Sequence, residues 1–302
     1  MSLQQGVQKV LLVGANGQVG HALKSAGADI NTPFEWHVST RADLDVSNLS
    51  AVKDLVRALK PNWIVNAAAY TAVDKAELEP QLAQRINADL PDTLAIEAKA
   101  LGAAVVHYST DYVFDGQAHR PYAEADQPNP QSAYGRSKWE GEQAVTAHCE
   151  KYLVLRTCWV HGAHGGNFLK TMLRLAQESE RLTIIDDQWG APTGADLLAD
   201  VTAHAIRHLA QRPQDGGLHH CVAAGETNWH QYAQAVLALA TQLQPVMAFK
   251  ANEVAPVPTS AFPTPAQRPL NSRLNTARLQ ATFGLKLPHW RDGVARMLAE
   301  IL

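Results

Sequence analysis

An apolar run meets a glycine-rich turn near the amino end of the chain, in the segment KVLLVGANGQVG (Lys9–Gly20). The apolar part predicts a buried strand, and residues 21–26 after the glycines have helical spacing. Glycines allow a tight turn and close approach of a ligand, and a helix amino terminus favours negative charge. We therefore predict a dinucleotide site whose pyrophosphate faces Gly14, Gly17 and Gly20. The spacing is G-x-x-G-x-x-G and not G-x-G-x-x-G, so an ordinary turn is the alternative.

Strands and helices alternate through the first half of the chain. Further strands are predicted at residues 35–39, 63–66, 103–107 and 152–157, with a helix over 49–59. Such alternation is typical of an α/β, Rossmann-like, doubly wound parallel sheet, in which ligands bind beyond the carboxyl ends of the strands. Gly14, Ala67–Ala69 and Thr110 all fall at such ends. This convergence is the strongest argument for a binding site there.

The second half predicts more helices and a change of composition. Helices are expected at 167–177, 195–209, 229–243 and 290–302, with strands at 182–185 and 218–222. Pro91 interrupts the helical pattern of 81–101 and predicts a kink or two helices. Six prolines lie between Pro245 and Pro269, which predicts an extended, loop-like segment on the substrate side. We expect a dinucleotide-binding domain over 1–165 plus about 190–225, and a smaller C-terminal substrate-binding domain over about 166–189 and 226–302.

Composition narrows the classes of function. Of 302 residues, 46% are hydrophobic and 18% are charged, which is ordinary for a soluble enzyme. A net charge of -3 without a long basic run argues against nucleic acid as a partner. No stretch approaches the ~18 apolar residues that a membrane span needs. The apolar run near the amino terminus is also too short for a cleavable signal, so we expect a cytoplasmic protein.

Cysteine and histidine spacing does not indicate a metal site. The three cysteines, Cys149, Cys158 and Cys221, fit neither a disulfide framework nor a zinc pattern. No carboxylate or cysteine completes a compact ligand set with His161 and His164, and the adjacent His219 and His220 would point to opposite faces of a strand. We predict no metal ligands from these residues.

The end of the second predicted strand bears on cofactor choice. An acidic residue there would bind the ribose 2′-hydroxyl of NAD. The position carries Thr40, followed by Arg41, and an arginine suits the 2′-phosphate of NADPH. This favours NADPH and leaves NADH open, because a surface arginine is the simpler interpretation. Asp45 and Val46 are expected beside the adenine.

A candidate acid–base pair lies in the segment SAYGRSK (Ser132–Lys138). On a helix, Tyr134 and Lys138 share one face because they are four residues apart. A neighbouring ammonium favours the phenolate, so we expect the pKa of Tyr134 to fall from about 10 towards neutrality. Thr110, at a predicted strand end, could hydrogen-bond the same oxygen that Tyr134 protonates. The pattern Y-x-x-x-K alone is common by chance.

Two further residues are candidates for substrate contact. Trp159 follows the strand at 152–157 and could stack on a substrate ring, although a packed aromatic side chain is nearly as plausible. Arg268, in the segment QRPLNSR, matches a diphosphate in two-point geometry. An exposed arginine without a ligand is the simpler alternative for Arg268.

Taken together, five segments resemble the extended short-chain dehydrogenases/reductases: Gly14–Gly20, Asn66–Thr71, Tyr108–Phe114, the pair Tyr134/Lys138 and Arg156–Val160. More narrowly, Asp186–Gly194 (DDQWGAPTG) and Arg268–Leu274 (RPLNSRL) resemble the dTDP-4-dehydrorhamnose reductases, so the likeness runs nearly end to end. It implies an oxidoreductase that reduces the 4-keto group of dTDP-4-dehydro-L-rhamnose to dTDP-L-rhamnose for surface polysaccharide. Dehydratases similar to this fold place Asp-Glu after the threonine, whereas this chain has Asp111-Tyr112, which favours simple reduction.

The resemblance also implies roles for individual residues. Tyr134, Lys138 and Thr110 would be catalytic, with Tyr134 donating the proton and Lys138 gripping the nicotinamide ribose. The remaining cofactor residues would be Gly17, Gln18 and Val19 at the pyrophosphate, Asp45, Val46, Ala69, Tyr70 and Thr71 at the adenine and ribose, and Tyr108 near the nicotinamide. Thr110, Asp111 and Trp159 would meet the sugar.

Other functions remain open from the sequence. Relatives of such reductases serve as the NADP-binding regulatory subunit of methionine adenosyltransferase, but here the set Thr110, Tyr134 and Lys138 is intact. A reductase or epimerase of another nucleotide sugar is the second alternative. Some similar reductases form magnesium-bridged dimers, which leaves a homodimer and a Mg²⁺ ion open, although no motif here marks such a site.

Overall fold

The structure is a computed structural model that describes residues 7–27, 34–246 and 248–302. Residues 1–6, which belong to the segment expected to lack a cleavable signal, lie outside the described residues. No helix in the described ranges is both long and apolar enough to cross a membrane.

The strands of the described chain are, in order, β1 (Gln8–Val13), β2 (Phe34–Ser39), β3 (Trp63–Asn66), β4 (Ala104–Thr110), β5 (Tyr152–Thr157), β6 (Val160–His161), β7 (Arg181–Ile185), β8 (Trp189–Gly190), β9 (Thr193–Gly194), β10 (Gly217–His220), β11 (Thr227–Asn228) and β12 (Glu253–Val257). Six of them form one parallel sheet in the order β10-β5-β4-β3-β1-β2. This is the predicted doubly wound arrangement, and the order reverses between β1 and β3.

The α-helices of the described chain are α1 (Gln18–Gly27), α2 (Leu49–Leu59), α3 (Val73–Ala76), α4 (Pro80–Gln84), α5 (Leu90–Leu101), α6 (Ala133–His148), α7 (Phe168–Glu178), α8 (Ala195–Gln211), α9 (Trp229–Leu243), α10 (Ala277–Phe283) and α11 (Trp290–Ile301). A π-helical turn, Arg85–Asp89, joins α4 to α5. Short 3₁₀ turns follow β4, α8 and β12.

Helices cover both faces of the sheet, which explains why its inner strands begin with apolar residues on both faces, whereas their carboxyl ends carry polar residues. One apolar layer packs α1 and α8 on one face, and a second packs α2, α5 and α6 on the other. All residues of β3 and β4 are buried as a result. A separate apolar cluster joins α7, α9 and α11 with β7.

Several sequence predictions are confirmed by the helix bounds. α2 spans the predicted residues, and the Asn48 side chain caps it by accepting a hydrogen bond from Ala51 N. The segment interrupted by Pro91 is two helices joined by the π-helical turn. Pro91 lies in the first turn of α5, where its missing N–H costs little.

The predicted loop between Pro245 and Pro269 is wrong in its centre. It contains β12, which pairs in parallel with β7. Pro256 is tolerated there because β12 is an edge strand with β7 as its partner on one side. The short helix α10 was not predicted, and β10 ends at His220 instead of Val222.

Candidate active site

The predicted site lies where β1 and β3 end, at the reversal of strand order. Gly14 follows β1 and Ala67 follows β3, and the Ala67 N–H donates to Val13 O at 2.9 Å. Crevices of this kind receive ligands in open parallel sheets because helices leave in opposite directions on either side. The structure therefore brings the glycine turn and the small residues after β3 together, as expected.

The three glycines of the turn have different physical roles. Gly14 has φ +86°, and a Cβ there would collide with the backbone of Ala68. A Cβ on Gly20 would collide with Gly14 O, so both outer glycines are required by packing. A Cβ on Gly17 would find its nearest atom, Gly14 O, at 3.6 Å, which is ordinary contact. Gly17 therefore has no packing reason to be glycine, and open space above it fits close approach of a pyrophosphate.

Gln18 and Val19 begin α1, so their backbone N–H groups lie at its positively polarised end. Their side chains point elsewhere. Gln18 Oε1 accepts a hydrogen bond from Asn167 Nδ2 at 3.0 Å, and Val19 packs against the core. A phosphate contact by these two residues would therefore come from the backbone.

Arg41 lies in the turn that follows β2. Thr40 donates through N and Oγ1 to Asp43 Oδ2 at 3.0 and 2.6 Å, which shapes the turn. Arg41 in this turn is exposed and has no carboxylate partner among the described residues. Asp45 accepts hydrogen bonds from Ser47 N and Oγ, which lower the pKa of its carboxyl.

A buried asparagine holds the segment after β3. Asn87 Oδ1 accepts from Tyr70 N at 2.8 Å, and its Nδ2 donates to Tyr70 O at 3.0 Å and to Ser137 Oγ at 3.0 Å. Asn87 lies on the π-helical turn, a feature often found at functional sites. One side chain thus ties the predicted cofactor loop, Ala69–Thr71, to α6.

Helix α6 carries the predicted acid–base pair, and its start is firmly placed. Ser132 caps the helix by accepting from Gly135 N at 3.1 Å. A Cβ on Gly135 would collide with Tyr112 O, so glycine lets the helix start approach the turn after β4. Ala133 N donates to Glu77 Oε1 at 2.7 Å. These contacts bring Tyr134 to the end of β4.

Thr110 and Tyr134 are therefore neighbours, and both are buried. Thr110 Oγ1 donates to Asp111 Oδ1 at 3.0 Å and accepts from Tyr112 N at 3.2 Å. The expected fall in the pKa of Tyr134 is wrong for this structure. Burial raises the pKa of Tyr134 well above its usual value, while the Thr110 hydroxyl beside it acts in the opposite direction. Tyr134 is consequently a protonated phenol.

Lys138 does not lower the pKa of Tyr134, because its amino group points towards His107 and Tyr108 O. Nζ donates to Tyr108 O at 2.5 Å and lies 3.4 Å from His107 Nε2. Among the described residues, no hydrogen bond joins Lys138 to Tyr134. Burial lowers the pKa of Lys138 to about 8, and the charge of Glu142 opposes this fall. Sharing a helix face was therefore not sufficient to pair the two side chains.

The Tyr108 side chain is held within the core of the sheet. Its hydroxyl forms a 2.6 Å hydrogen bond with Thr202 Oγ1 of α8, and its ring is part of the core layer on that face. Burial raises the pKa of Tyr108. The backbone oxygen of Tyr108 reaches the site through Lys138, so a direct contact of its ring with a nicotinamide stays a prediction.

Asp111 is a buried carboxyl group beside Thr110. Burial raises the pKa of Asp111 to about 6, although the nearby hydroxyls of Ser272 and Thr110 oppose the rise. By distance and angle, Oδ2 has no hydrogen-bond partner among the described residues. A buried acceptor of this kind is available for a ligand hydroxyl.

Next to these groups is a cavity of about 360 Å³ whose lining includes Tyr112, Trp159, Trp229, Arg268 and Ser272. Trp159 has φ +49°, which is rare for a non-glycine residue. Its ring stacks on Trp229 with centroids 3.7 Å apart, and Gly190 makes room because a Cβ there would lie 2.7 Å from the Trp159 ring. Trp159 and Arg268 therefore line one cavity, and the stacking of Trp159 on Trp229 also fits the packed aromatic side chain that the sequence left as an alternative.

Arg268 already has a partner. Its Nη2 lies 2.6 Å from Asp74 Oδ2 on α3, and both side chains are partly exposed, 29% and 38%. Asp74 was not recognised from the sequence, and neither were His107 and Trp229. No local signal marks these three residues, because each contacts a partner that is far away in the sequence.

A metal-ion site was also sought among the described residues. No group of three or more His, Cys, Asp or Glu side chains there could hold a metal ion. The described residues therefore identify no such group of side chains for the Mg²⁺ ion that the resemblance left open.

Comparison with known proteins agrees with this geometry. Residues 8–302 match the family model described as RmlD substrate binding domain. A dTDP-4-dehydrorhamnose reductase of Shigella flexneri is 50% identical over 293 residues, which cover 97% of each chain. The chain belongs to the dTDP-4-dehydrorhamnose reductase family. The resemblance stated from the sequence is confirmed.

Solved structures of the family confirm the fold. A dTDP-4-dehydrorhamnose reductase from Clostridium acetobutylicum is 37% identical with a TM-score of 0.87, covering 97% of this chain and 99% of that one. The Bacillus anthracis dTDP-4-dehydrorhamnose reductase, solved in complex with NADP, is 35% identical with the same TM-score and coverage. The family fold therefore extends over nearly the whole chain.

Proposed function

We propose that this chain reduces the 4-keto group of dTDP-4-dehydro-L-rhamnose to the alcohol, with NADPH as the electron donor. The observation that carries the proposal is the burial of Thr110 and Tyr134 side by side at the end of β4. They lie one strand from β3, whose end meets the glycine turn. Family membership over residues 8–302 supports the same reaction.

The residues fit the cofactor in two places. Gly17 leaves its backbone open at the start of α1, and Arg41 offers an exposed guanidinium at the end of β2. When bound, NADPH supplies a hydride to the carbonyl carbon. The guanidinium at position 41 would hold the 2′-phosphate, which favours NADPH over NADH.

The proton comes from this chain. Tyr134 is protonated, so its hydroxyl can donate to the developing alkoxide. Thr110 lies beside it and can orient the same oxygen, and Asp111 Oδ2 can accept from a neighbouring sugar hydroxyl. Lys138 titrates close to neutral pH, which makes it a group whose charge can change during turnover.

The cavity beyond Thr110 supports a nucleotide-sugar substrate. Its aromatic wall, Trp159 and Trp229, can pack on a ring, and Arg268 can bind a diphosphate if it exchanges Asp74 for the ligand. The oxygens of a diphosphate can compete with Asp74 for Arg268, because water weakens an ion pair whose partners are partly exposed.

The decisive experiment offers the purified chain the keto sugar with NADPH and with NADH and follows loss of the reduced-nicotinamide absorbance. Tyr134→Phe should lower kcat at least ~10²-fold, because only the proton donor is removed. Tyr152→Phe, at the opposite end of the sheet, is the matched control and should keep normal turnover. Near-normal turnover in Tyr134→Phe, or no oxidation of either cofactor by the unaltered chain, would reject the proposal.

The cofactor assignment has its own test. Gly17→Ala should fold normally yet bind NADPH ~10-fold or more weakly, because its Cβ occupies the approach and meets no protein atom closer than 3.6 Å. Arg41→Ala should weaken NADPH binding and leave NADH binding unchanged. Equal losses for both dinucleotides in Arg41→Ala would contradict the role of its guanidinium in selecting NADPH.

A homodimer, a cytoplasmic location and the two-domain division near residues 165–190 and 226 remain proposals. Light scattering of the purified chain tests the first. Fractionation of cells expressing the tagged full chain tests the second. Limited proteolysis tests the third, with cleavage expected at the proposed boundaries.

A further inference from the structure

A buried hydrogen-bond chain lies behind the acid–base pair, and none of its inner members contacts the cavity that Arg268 lines. It runs from the segment after β3, through Asn66 and His107, to Lys138. Asn66 is 1%, His107 0% and Lys138 2% exposed. Groups so completely buried must satisfy one another, so the direction of each hydrogen bond is fixed by its neighbours.

The direction is set at Ala68. Its backbone N–H can only donate, and Asn66 Oδ1 accepts it at 3.2 Å. The other amide atom, Asn66 Nδ2, is therefore the one 3.2 Å from His107 Nδ1. An NH₂ group can only donate, so His107 Nδ1 must be the acceptor and carries no proton.

The imidazole proton must then lie on Nε2. Burial is the main cause that holds the pKa of His107 well below its usual value, so the ring is neutral and has one N–H. His107 Nε2 faces Lys138 Nζ at 3.4 Å. An N–H in that position needs an acceptor, and Nζ can accept only as a neutral amine with a free lone pair.

We propose that Asn66 and His107 are positioning residues that favour the neutral amine form of Lys138 over its ammonium: Asn66 fixes the Nε2–H tautomer of His107, and that N–H donates to Nζ whenever Nζ is unprotonated. Lys138 completes the chain by donating to Tyr108 O. When Nζ takes up a proton it loses its lone pair and with it the bond to His107. Charging Lys138 and breaking its bond to His107 are thus one event, while the bond to Tyr108 O remains.

The other groups that face Lys138 do not reverse this effect. Glu142, one turn further along α6, favours the ammonium, but its carboxylate is engaged by Arg156. Tyr134 on the same helix is a neutral phenol. On β4, Lys138 meets His107 and the carbonyl of Tyr108, so β4 offers no charge to it.

The first test measures the tautomer directly in the full chain without ligand. Imidazole-¹⁵N-labelled protein is examined by long-range ¹H–¹⁵N correlation between pH 7 and 10, with the His107 signals assigned by their loss in His107→Gln. A protonated Nε2 and a bare Nδ1 are expected. A proton on Nδ1 would overturn the proposal.

The second test reverses the direction of the hydrogen bonds that link Asn66, His107 and Lys138. In Asn66→Asp the carboxylate can still accept from Ala68 N but must also accept from His107, which moves the imidazole proton to Nδ1. Nε2 then presents a lone pair to Lys138 and favours the ammonium. The ¹³Cε signal of Lys138, assigned with Lys138→Met, should titrate about one pH unit or more higher.

Asn62→Asp is the matched control. It lies just before β3, at the opposite end of that strand, and its Oδ1 accepts from Lys9 N at 2.8 Å, which a carboxylate preserves. It adds the same charge without touching His107, so the tautomer should stay and the titration of Lys138 should shift much less. Equal shifts in the two variants would mean that charge alone acts, and would overturn the proposal.

His107→Phe removes the N–H without adding charge and should likewise raise the titration point of Lys138. If the His107→Phe variant does not fold, as thermal unfolding would show, the isosteric Asn66→Asp variant still tests whether the His107 tautomer shifts the titration of Lys138. The kinetic consequence rests on the proposed function: the alkaline limb of kcat/KM should move upward in both variants. Failure of all activity would reject the proposed function only, because tautomer and titration are measured without substrate.

Discussion

Two cations are buried beside α6, and their surroundings differ completely. Arg156 and Lys138 are each 2% exposed. Arg156 donates through Nε and Nη2 to the two oxygens of Glu142 at 2.8 and 2.6 Å, and its guanidinium lies 4.9 Å from the Phe114 ring centroid. Lys138 has an imidazole and a backbone carbonyl as its partners.

This difference indicates that Arg156 forms a structural ion pair, whereas Lys138 is a group that can take part in proton transfer. A two-point pair with a carboxylate keeps both partners charged, and its removal leaves an uncompensated charge. A buried lysine without a carboxylate bonded to it is easier to deprotonate, and burial lowers the pKa of Lys138 to about 8. Helix α6 is thus anchored to β5 through the pair of its own Glu142 with Arg156 of β5, and it also carries Lys138, which can exchange its proton.

The largest expected effect is on catalysis. Lys138→Met should lower kcat/KM ~10²-fold or more, because it removes a titrating group beside the proton donor. At pH 7 the free energy of unfolding should stay equal or rise, since an apolar side chain replaces an unpaired buried cation. Steady-state kinetics and urea unfolding check the two parts.

Lys151→Met is the control for this variant, because Lys151 Nζ also donates to a backbone carbonyl, Gly102 O at 3.0 Å, but is exposed. It should leave kcat/KM unchanged. A Lys138→Met protein that loses several kcal/mol of stability yet turns over normally would make Lys138 structural and remove the contrast with Arg156.

The converse variant tests the ion pair. Glu142→Gln should cost about 3–5 kcal/mol of unfolding free energy, because Arg156 stays buried without its carboxylate. Turnover per folded molecule should change less than tenfold. The double variant Glu142→Leu/Arg156→Met should recover most of the stability, whereas no recovery in urea unfolding would show that the pair is not the source of the loss.

The pH dependence of stability sharpens the contrast further. The pKa of Lys138 is about 8 in the folded chain and 10.5 in the reference state. Between these values the unfolded chain binds more protons, so the stability of the wild type should rise with pH relative to Lys138→Met. The gain across that window should approach about 3 kcal/mol. Unfolding at pH 7.5, 9 and 10.5 measures it, and parallel curves would contradict the unpaired state of Lys138.

The smallest effect concerns an ion pair at the edge of the cavity. Asp74→Asn should change stability by less than about 1 kcal/mol, because both partners are partly exposed. It frees Arg268, so KM for the nucleotide sugar should fall about two- to fivefold. Asp74→Glu, which keeps the charge, is the control. A raised KM in Asp74→Asn would show that Asp74 presents Arg268 to the substrate instead of competing for it.

Much of the fold could be predicted because residues close together in the sequence determine it. The alternating apolar runs set the strands, and the rule that parallel strands share one carboxyl edge brought Gly14, Ala67 and Thr110 together. The caps at Asn48 and Ser132 and the glycine turn are also local signals.

What escaped prediction depends on contacts between distant segments. The four-residue spacing placed Tyr134 and Lys138 on one face, but His107 and Tyr108 O, some thirty residues earlier, draw the ammonium away. The partner of Arg268, Asp74, is 194 residues away in sequence. β12 was missed because Pro256 argues against a strand in the sequence, and only the pairing with β7 in the structure identifies one.

The amide of Asn87 serves as a mechanical linkage. Because one side chain holds both Tyr70 and Ser137, the loop expected to receive the adenine ribose and the helix bearing the proton donor cannot shift independently. A ligand that displaced this loop would therefore also pull on the helix that carries Tyr134, through a single amide group.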